Sequence, residues 1–446
     1  MSPFEQVIKR SGAIVPFNPE RITNAIYRAA IAVGGRDRSI AEALTADVIA
    51  LLEQNTPPGK IPTIEEIQDA VEKVLIEHGH AKVAKAYILY RDERARARQE
   101  RASLAARPSQ NIPWAKIWHV LDWAVRHNLH TTEALNQRLA QGELPEIVRL
   151  SEAAYNEDIE NAVEMIAMRR EQVRVVIITG PSSSGKTTST IKIGQRLQHL
   201  GLRLVTLNVD NYYFDLALQP RDEFGDYDFE TPQALDLSLL NQHLEQLIAG
   251  EEVRIPFYDF KQGKRFDERT PVRIHANELI LIDSLHGLYP AMTGSIPDEQ
   301  KFKVYLEPLL QMTTPNGDYI RWTDIRLMRR MLRDAVHRAY DPRQTLEHWH
   351  YVRTSEKRNI LPYIGNTDYI VNSAMPYELS IYRARLLDHF LQWREDYRND
   401  PLRQDAFERA ERVSQVLQAF SPITDDSPVP PDSVLREFIG GSIYDS

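Results

Sequence analysis

The chain has 446 residues, of which 42% are hydrophobic and 26% are charged, and its net charge is −9. This length predicts two or three domains, and the composition is that of a soluble globular protein. The negative charge argues against nucleic acid as a partner. The sequence has no cysteine, which excludes disulfides and thiolate metal sites. It also has no apolar run of about 20 residues, so we expect no membrane span and a cytoplasmic location.

Periodic patterns divide the chain into four parts. They are 1–98, 99–172, 173–375 and 376–446. The first opens with two short apolar runs around a glycine, which predict a hairpin, and Thr63 with Glu66 forms a capping box before one of its helices. The second is predicted to be a helical connector. The third alternates strand-like and helical patterns, which predicts an α/β domain with a parallel sheet, and the fourth is predicted to hold two charged helices and a tail.

A phosphate-binding loop is the most specific signal in the sequence. The apolar run 173–178 leads into G-P-S-S-S-G-K-T at 180–187, and a helical pattern follows. Glycines let the backbone wrap an anion with its N–H groups turned inward, and the helix N-terminus adds positive potential. Lys186 is expected to reach the outer phosphates of ATP and Thr187 to offer its hydroxyl to Mg²⁺. The predicted ATP-binding residues in this loop are Gly180, Ser182, Ser183, Ser184, Gly185, Lys186, Thr187 and Thr188.

Two carboxylates follow apolar runs and are candidates to complete the site. Asp283 ends the run 279–282, where a carboxylate on the metal side is expected. Asp210 ends the run 203–209 and could accept a proton from an attacking hydroxyl. Either residue could instead cap a turn.

An arginine-rich helix is predicted beyond residue 320. Its arginines 326, 329, 330 and 333 share one face because they follow the spacing i, i+3, i+4 and i+7. Such a face suggests a lid that closes on phosphates during transfer. The alternative is a solvated face paired with carboxylates.

At this point the segment 173–375 resembles the uridine kinase and phosphoribulokinase branch of P-loop kinases. The matching pieces are the loop 180–187, D-N-Y-Y at 210–213, Y-D at 227–228, I-P-F-Y-D-F at 255–260, I-D at 282–283 and the helix 326–333. A longer resemblance, from about 133 to 441, is to a bacterial subgroup of nucleoside-kinase-like proteins.

The resemblance implies roles for individual residues. Asp210 would be the general base for a ribose 5′-hydroxyl, and Asp228 with Arg330 would hold the ribose hydroxyls. Tyr258 would lie against the base. The remaining implied phosphate contacts are Arg333, as part of the catalytic set with Lys186, and Arg338, as an ATP-binding residue.

The sequence departs from the family pattern in two places. The metal-side acid is usually Glu, whereas here it is Asp283. Uridine–cytidine kinases carry a pyrimidine-reading His five residues after the tyrosine that matches Tyr258, whereas here Gly263 stands there. The identity of the nucleoside is therefore open.

Residues 1–98 resemble an ATP-cone, a nucleotide-sensing regulatory domain. The resemblance is carried by V-I-K-R at 7–10, V-P-F at 15–17 and the run 76–87. It implies that Lys9, Arg10 and Arg21 contact the phosphates of an effector such as ATP or dATP; the alternative is that they are merely exposed charges. Because ATP-cones commonly mediate assembly, a homo-oligomer is expected.

The sequence thus predicts an ATP- and Mg²⁺-dependent nucleoside 5′-kinase with a nucleotide-sensing domain. Two alternatives stay open. One is a kinase of another small alcohol, such as a sugar phosphate. The other is a nucleotide-responsive regulatory ATPase that is not a kinase.

Overall fold

The structure is a computed structural model. It describes residues 4–8, 14–31, 33, 35, 37–57, 60–89, 111–219, 231–337, 341–400 and 403–444. These residues fall into two compact units, one up to residue 89 and one from residue 111 onward. Four residues with predicted site roles, Lys9, Arg10, Asp228 and Arg338, lie outside the described residues.

The first unit is a short hairpin followed by helices. The hairpin strands β1 and β2 are Gln6–Ile8 and Ile14–Pro16, and the helices α1, α2 and α3 are Pro19–Ile31, Arg38–Asn55 and Ile64–Glu77. A further helical stretch covers 81–89. The capping box is present: the Thr63 hydroxyl accepts from the Glu66 N–H at 3.2 Å, and the Glu66 carboxylate accepts from the Thr63 N–H at 2.8 Å. The hairpin and the helix start are therefore confirmed.

The second unit contains seven strands within its described residues. They are β3 Val175–Thr179, β4 Arg203–Thr206, β5 Val253–Asp259, β6 Lys264–Val272, β7 Glu278–Ser284, β8 Lys301–Glu307 and β9 Tyr369–Asn372. Five of them form a parallel sheet in the order β4-β7-β3-β8-β9, and β5 pairs with β6 as an antiparallel hairpin. The predicted parallel sheet is confirmed, and the loop after its central strand lies where the carboxyl ends of the strands meet.

Helices cover both faces of this sheet. They are α4 Trp114–Arg126, α5 Thr132–Ala140, α6 Leu144–Met168, α7 Lys186–His199, α8 Leu237–Ile248, α9 Trp322–His337, α10 Pro342–Asn359, α11 Glu378–Tyr397, α12 Gln404–Gln418 and α13 Arg436–Ile439. Consecutive residues of β3 point to opposite faces: Val176 and Ile178 enter one core, and Val175 and Ile177 enter the other. This double burial explains why the strand is an unbroken apolar run.

The described helices of the predicted connector share a core with the sheet. Leu129, Ile147 and Ile159 are fully buried in the same cluster as Val176. The segment after α12 also enters this cluster, where Phe438 is fully buried. Within the described part, the second unit therefore has no core division at 173 or 376, and the four-part domain division stays a prediction.

None of the helices among the described residues is both long and apolar enough to cross a bilayer.

Candidate functional site

The phosphate-binding loop connects the central strand to a helix. It spans residues 180–185, between the end of β3 and the start of α7. Gly185 takes a left-handed backbone with φ of 90°, which allows the chain to turn directly into the helix. Ser183 is also left-handed, with φ of 60°, a conformation that is uncommon outside glycine. The loop thus has the tight wrap that an anion cradle requires.

Two serine hydroxyls of this loop are buried without a protein partner. Ser183 is 3% exposed and Ser184 is fully buried, and neither Oγ atom has a hydrogen-bond partner among the described residues. A buried hydroxyl without a partner is costly, and a bound ion is one of the explanations for such a group in a native protein. Both hydroxyls therefore support the predicted binding of phosphate oxygens.

Lys186 lies over its own loop. Its ammonium donates to the Gly180 carbonyl at 3.1 Å and to the Pro181 carbonyl at 3.5 Å. Burial lowers the pKa of Lys186, whereas the charges of Asp283 and Glu437 oppose that effect. A buried cation beside an anion cradle can attract and hold a polyphosphate.

Asp283 lies at the carboxyl end of β7, directly beside the strand that leads into the loop. It stands opposite Ile178 in the parallel pairing of β7 with β3. Its carboxylate accepts from the Thr190 hydroxyl at 3.2 Å, and burial raises the pKa of Asp283 while Lys186 opposes this. The expected position at a strand end is confirmed; its role as a metal ligand stays a prediction.

Asp210 lies beyond the strand that was expected to end with it. β4 ends at Thr206, and Asp210 belongs to a single 3₁₀ turn, Val209–Tyr212, where its N–H donates to the Asn208 side chain at 3.0 Å. Its side chain is open to solvent, yet burial among neighbouring atoms raises the pKa of Asp210. The charge of Asp283 raises it further and that of Lys186 lowers it. The three charged groups are therefore close enough to influence one another.

The predicted arginine lid is wrong for two of its four members. Arg326 is 1% exposed and pairs with Glu307 at 2.8 Å and with Glu356. Arg329 is fully buried and pairs with Glu378 at 2.8 Å. These guanidiniums are neutralised inside the core, so they do not form part of a mobile lid.

The other two arginines of α9 are partly exposed near the loop, whereas the buried Arg326 reaches it only through the Ser182 carbonyl, at 3.2 Å. Arg330 donates to the Ser182 hydroxyl at 3.4 Å, and its side chain is 24% exposed. Arg333 is 20% exposed, and its charge acts on Lys186. Both also contact Asp334, at 3.5 and 3.4 Å. Their predicted contacts with substrate and phosphate remain predictions.

Tyr258 lies in a small aromatic cluster on the β5–β6 hairpin. Its ring centroid is 5.5 Å from that of Tyr213 and 4.9 Å from that of Phe260, and its hydroxyl accepts from Gln219 at 3.1 Å. Tyr258 is only 3% exposed, whereas Phe260 is 64% exposed. The structure therefore presents Phe260 to solvent and keeps Tyr258 beneath it, a difference that the Y-D-F pattern alone does not reveal.

Gly263 occupies a position where no side chain fits. Its φ of 63° is left-handed, and a Cβ atom there would lie 2.8 Å from the Cβ of Leu216. The Leu216 N–H also donates to the Gly263 carbonyl at 2.8 Å. The pyrimidine-reading histidine of the resembling family is thus absent because the turn is built around glycine.

In the first unit, the structure places one of the three predicted effector residues. Arg21 lies on α1 with its side chain exposed. Its role in binding an effector stays a prediction.

Sequence reasoning missed one residue at the loop. Glu437, on the short helix α13, accepts hydrogen bonds from both the backbone N–H and the hydroxyl of Thr188, at 3.2 and 3.1 Å. It is 249 residues away in sequence, so no local pattern could have indicated it. Thr188, which was predicted to bind ATP, is therefore bonded to a carboxylate.

A parallel sheet with a phosphate-binding loop after its central strand, and an acid at the end of the adjacent strand, defines a P-loop nucleotide-binding fold. Two family models match the chain. The ATP cone domain matches residues 5–96, and the Phosphoribulokinase / Uridine kinase family matches residues 175–379.

Named relatives agree with these matches. A uridine kinase of Borrelia turicatae is 30% identical over 177 residues, which cover 40% of this chain and 75% of the relative. Uridine-cytidine kinase B of Dictyostelium discoideum is 27% identical over 198 residues, which cover 44% of this chain and 73% of the relative. A uridine kinase of Schizosaccharomyces pombe is 30% identical over 215 residues, or 47% of this chain and 42% of that longer protein.

The comparison with solved structures also returned a match. It is described as a possible uridine kinase from Bacillus stearothermophilus, with 18% identity and a TM-score of 0.30, and the match covers 48% of this chain and 97% of that one.

The chain belongs to the phosphoribulokinase/uridine kinase family and carries an N-terminal ATP-cone domain. Its family places it among phosphotransferases with an alcohol acceptor.

Proposed function

We propose that this chain is an ATP- and Mg²⁺-dependent nucleoside 5′-kinase whose ATP-cone senses nucleotide. The observation that carries the proposal is the grouping of Lys186, Asp210 and Asp283 at one edge of the sheet, within electrostatic reach of each other. Phosphoryl transfer needs a cation that binds the phosphates, a carboxylate that holds the metal and a base that accepts the proton of the attacking hydroxyl.

The donor side fits a magnesium nucleotide. Thr187 and Asp283 offer a hydroxyl and a carboxylate, and oxygen ligands of this kind are those that Mg²⁺ prefers. The buried hydroxyls of Ser183 and Ser184 supply further groups for phosphate oxygens. When bound, the ion supplies positive charge that neutralises the phosphates.

On the acceptor side, Asp210 removes the proton from the ribose 5′-hydroxyl as its oxygen attacks the γ-phosphorus. The new O–P bond forms as the bond to the bridging oxygen of the leaving ADP breaks. The raised pKa of Asp210 favours this role, because a base is most effective when its pKa lies near the working pH. Arg330 and Arg333 stabilise the charge that spreads over the transferred group.

The aromatic cluster holds the nucleobase by stacking. Phe260 and Tyr213 lie beside Tyr258 and offer ring faces or edges, which bind any base. Because Gly263 cannot carry a hydrogen-bonding side chain, discrimination between bases is weak. We therefore expect an enzyme that accepts several nucleosides.

The acceptor is tested by incubating the full chain with ATP and a panel of nucleosides and phosphorylated sugars. A nucleoside 5′-monophosphate, identified by its mass, is the expected product. Phosphorylation of a sugar phosphate alone would reject the nucleoside acceptor. Steady release of ADP that no acceptor accelerates would favour a regulatory ATPase.

The catalytic assignment is tested with Asp210→Asn. Turnover should fall by about 10²–10⁴-fold, the range of general acid–base catalysis, with ATP affinity little changed. Asp298→Asn is the matched control, because Asp298 lies before β8 at the opposite edge of the sheet and pairs with Lys301 and Lys303. If turnover survives in Asp210→Asn, the base has been misassigned.

Regulation is tested separately in the full chain. ATP and dATP are titrated against kinase rate in the wild type and in Arg21→Ala. Coupling between two nucleotide sites should alter the shape of the titration curve in the variant. Superimposable curves would argue against effector binding at Arg21.

A further inference from the structure

The segment that follows α12 is built into the wall of the phosphate-binding loop. Val434, Leu435 and Phe438 are fully buried there. A Cβ atom on Gly185 would lie 2.5 Å from a methyl carbon of Val434, so the segment touches the first turn of α7. The short helix α13 holds Glu437 beside this turn.

Glu437 satisfies the positive end of α7. Its Oε2 atom accepts from the Thr188 N–H at 3.2 Å and from the Thr188 hydroxyl at 3.1 Å. First-turn N–H groups lack an acceptor inside their own helix, and the helix N-terminus attracts negative charge. Glu437 is 7% exposed, so its carboxylate acts there as a nearly buried internal anion.

A nucleotide needs the same hydrogen-bond donors. In a phosphate-binding loop the N–H groups surround the α- and β-phosphates, while the lysine reaches the β- and γ-phosphates. Thr188 lies two residues beyond Lys186, in the first turn of the helix that follows the loop. Glu437 holds both the N–H and the hydroxyl of Thr188, so neither donor is available to a phosphate while the carboxylate stays in place, and two anions this close repel each other.

We propose that Glu437 is an internal competitor for the α-phosphate of the donor, so that it sets the affinity for ATP. The inference rests on the proposed function for the identity of the donor. ATP binds when the Glu437 side chain rotates away from Thr188.

Rotation of the side chain, rather than release of the segment, follows from how firmly its neighbours are held. Arg436 donates to the Val429 carbonyl at 2.8 Å and to Asp426 at 3.1 Å. On the other side of Glu437, the Phe438 ring packs against the Arg329 guanidinium, 4.8 Å from the ring centroid.

The test is Glu437→Gln in the full chain, with ATP binding measured by calorimetry. The amide removes the negative charge at nearly constant shape, and the bonds from Thr188 to residue 437 are then no longer charge-assisted. ATP has less to displace and should bind about tenfold tighter. Without ATP the variant should melt at a lower temperature than the wild type. If Glu437 only supports the loop, ATP binds more weakly; that result, or an unchanged affinity, overturns the proposal.

Two further variants keep the test decisive. Asp426→Asn loosens the same segment through Arg436 without touching Thr188, so it should lower the melting temperature and leave ATP affinity unchanged; tighter ATP binding in this variant would also refute the proposal. Glu437→Asp withdraws the carboxylate by one methylene and should tighten ATP binding even if the glutamine variant does not fold.

Failure of the proposed function would be seen separately. Lys186→Met should abolish phosphate transfer from ATP, a readout of the loop that ATP bound to the ATP-cone cannot mimic; if turnover persists, the donor site is misplaced whatever Glu437 does. Likewise, the panel of nucleosides and phosphorylated sugars identifies the acceptor independently of the ATP affinity of Glu437→Gln.

Discussion

Replacing Arg329 with methionine removes a fully buried cation from the core beneath the phosphate-binding loop. The guanidinium donates twice to Glu378, at 2.8 and 3.0 Å, and to the Ser373 carbonyl at 2.7 Å. The Glu378 carboxylate, which is itself fully buried, would then keep, among the described residues, the Tyr382 hydroxyl and the Met375 N–H as donors. Leaving one charge of a buried pair without its partner costs about 3–5 kcal/mol.

This loss should be visible in thermal unfolding. The shift per kcal/mol becomes smaller as a cooperative unit becomes larger. For a unit that spans residues 111–444 it is about 1.5 °C per kcal/mol, so Arg329→Met should melt roughly 6 °C below the wild type. Combining it with Glu378→Gln should recover part of the loss, because the amide is neutral and still accepts from Tyr382. Calorimetric scans of the ligand-free full chain measure both effects.

The adjacent arginine provides the matched control. Arg330 is partly exposed and faces the Ser182 hydroxyl, so Arg330→Met should shift stability by no more than about 0.5 kcal/mol while turnover falls strongly. If Arg330→Met melts roughly 6 °C low and Arg329→Met melts like the wild type, the division of α9 into a structural and a functional pair is refuted.

Three further predictions follow from buried or strained positions. Burial raises the pKa of Glu152 above its usual 4.5, so ionisation of this carboxyl group destabilises the folded state at higher pH. Glu152→Gln should therefore raise the melting temperature at pH 8, and that gain should disappear in acid. A gain that does not depend on pH would contradict this reasoning. Gly263→Ala should destabilise by about 1–2 kcal/mol through its left-handed backbone; denaturant titration measures the loss, and a neutral Gly263→Ala would show that the turn is adaptable. Gly185→Ala should lower both stability and ATP affinity, because its Cβ would overlap Val434, and a variant with wild-type ATP binding would argue against the described loop geometry.

The sequence was sufficient wherever the signal was local. The loop 180–187 is flanked by a doubly buried strand and a helix; the strand is visible as an unbroken apolar run and the helix as a helical pattern. The position of Asp283 followed from the end of an apolar run, and the α3 start followed from the spacing of Thr63 and Glu66. Each of these depends on residues within a few positions of one another.

Prediction failed where the partner is distant in sequence. The spacing of the α9 arginines gave the correct shared face, but not the depth at which each side chain lies. Arg326 and Arg329 are buried because their carboxylate partners come from three other elements, at Glu307, Glu356 and Glu378. Since such pairs are made only by tertiary packing, helical spacing cannot separate them from Arg330.

The burial of the segment around Val434 also bears on how this protein is made. During synthesis the phosphate-binding loop leaves the ribosome about 250 residues before the carboxylate that bonds Thr188, a separation of 249 positions. Because domains complete their packing only when all their parts are available, the kinase unit must wait for residues 433–439 before α7 is fully supported. A polypeptide that ends near residue 430 would have an incomplete core, so chaperones and proteases would act on it as on an unfolded protein.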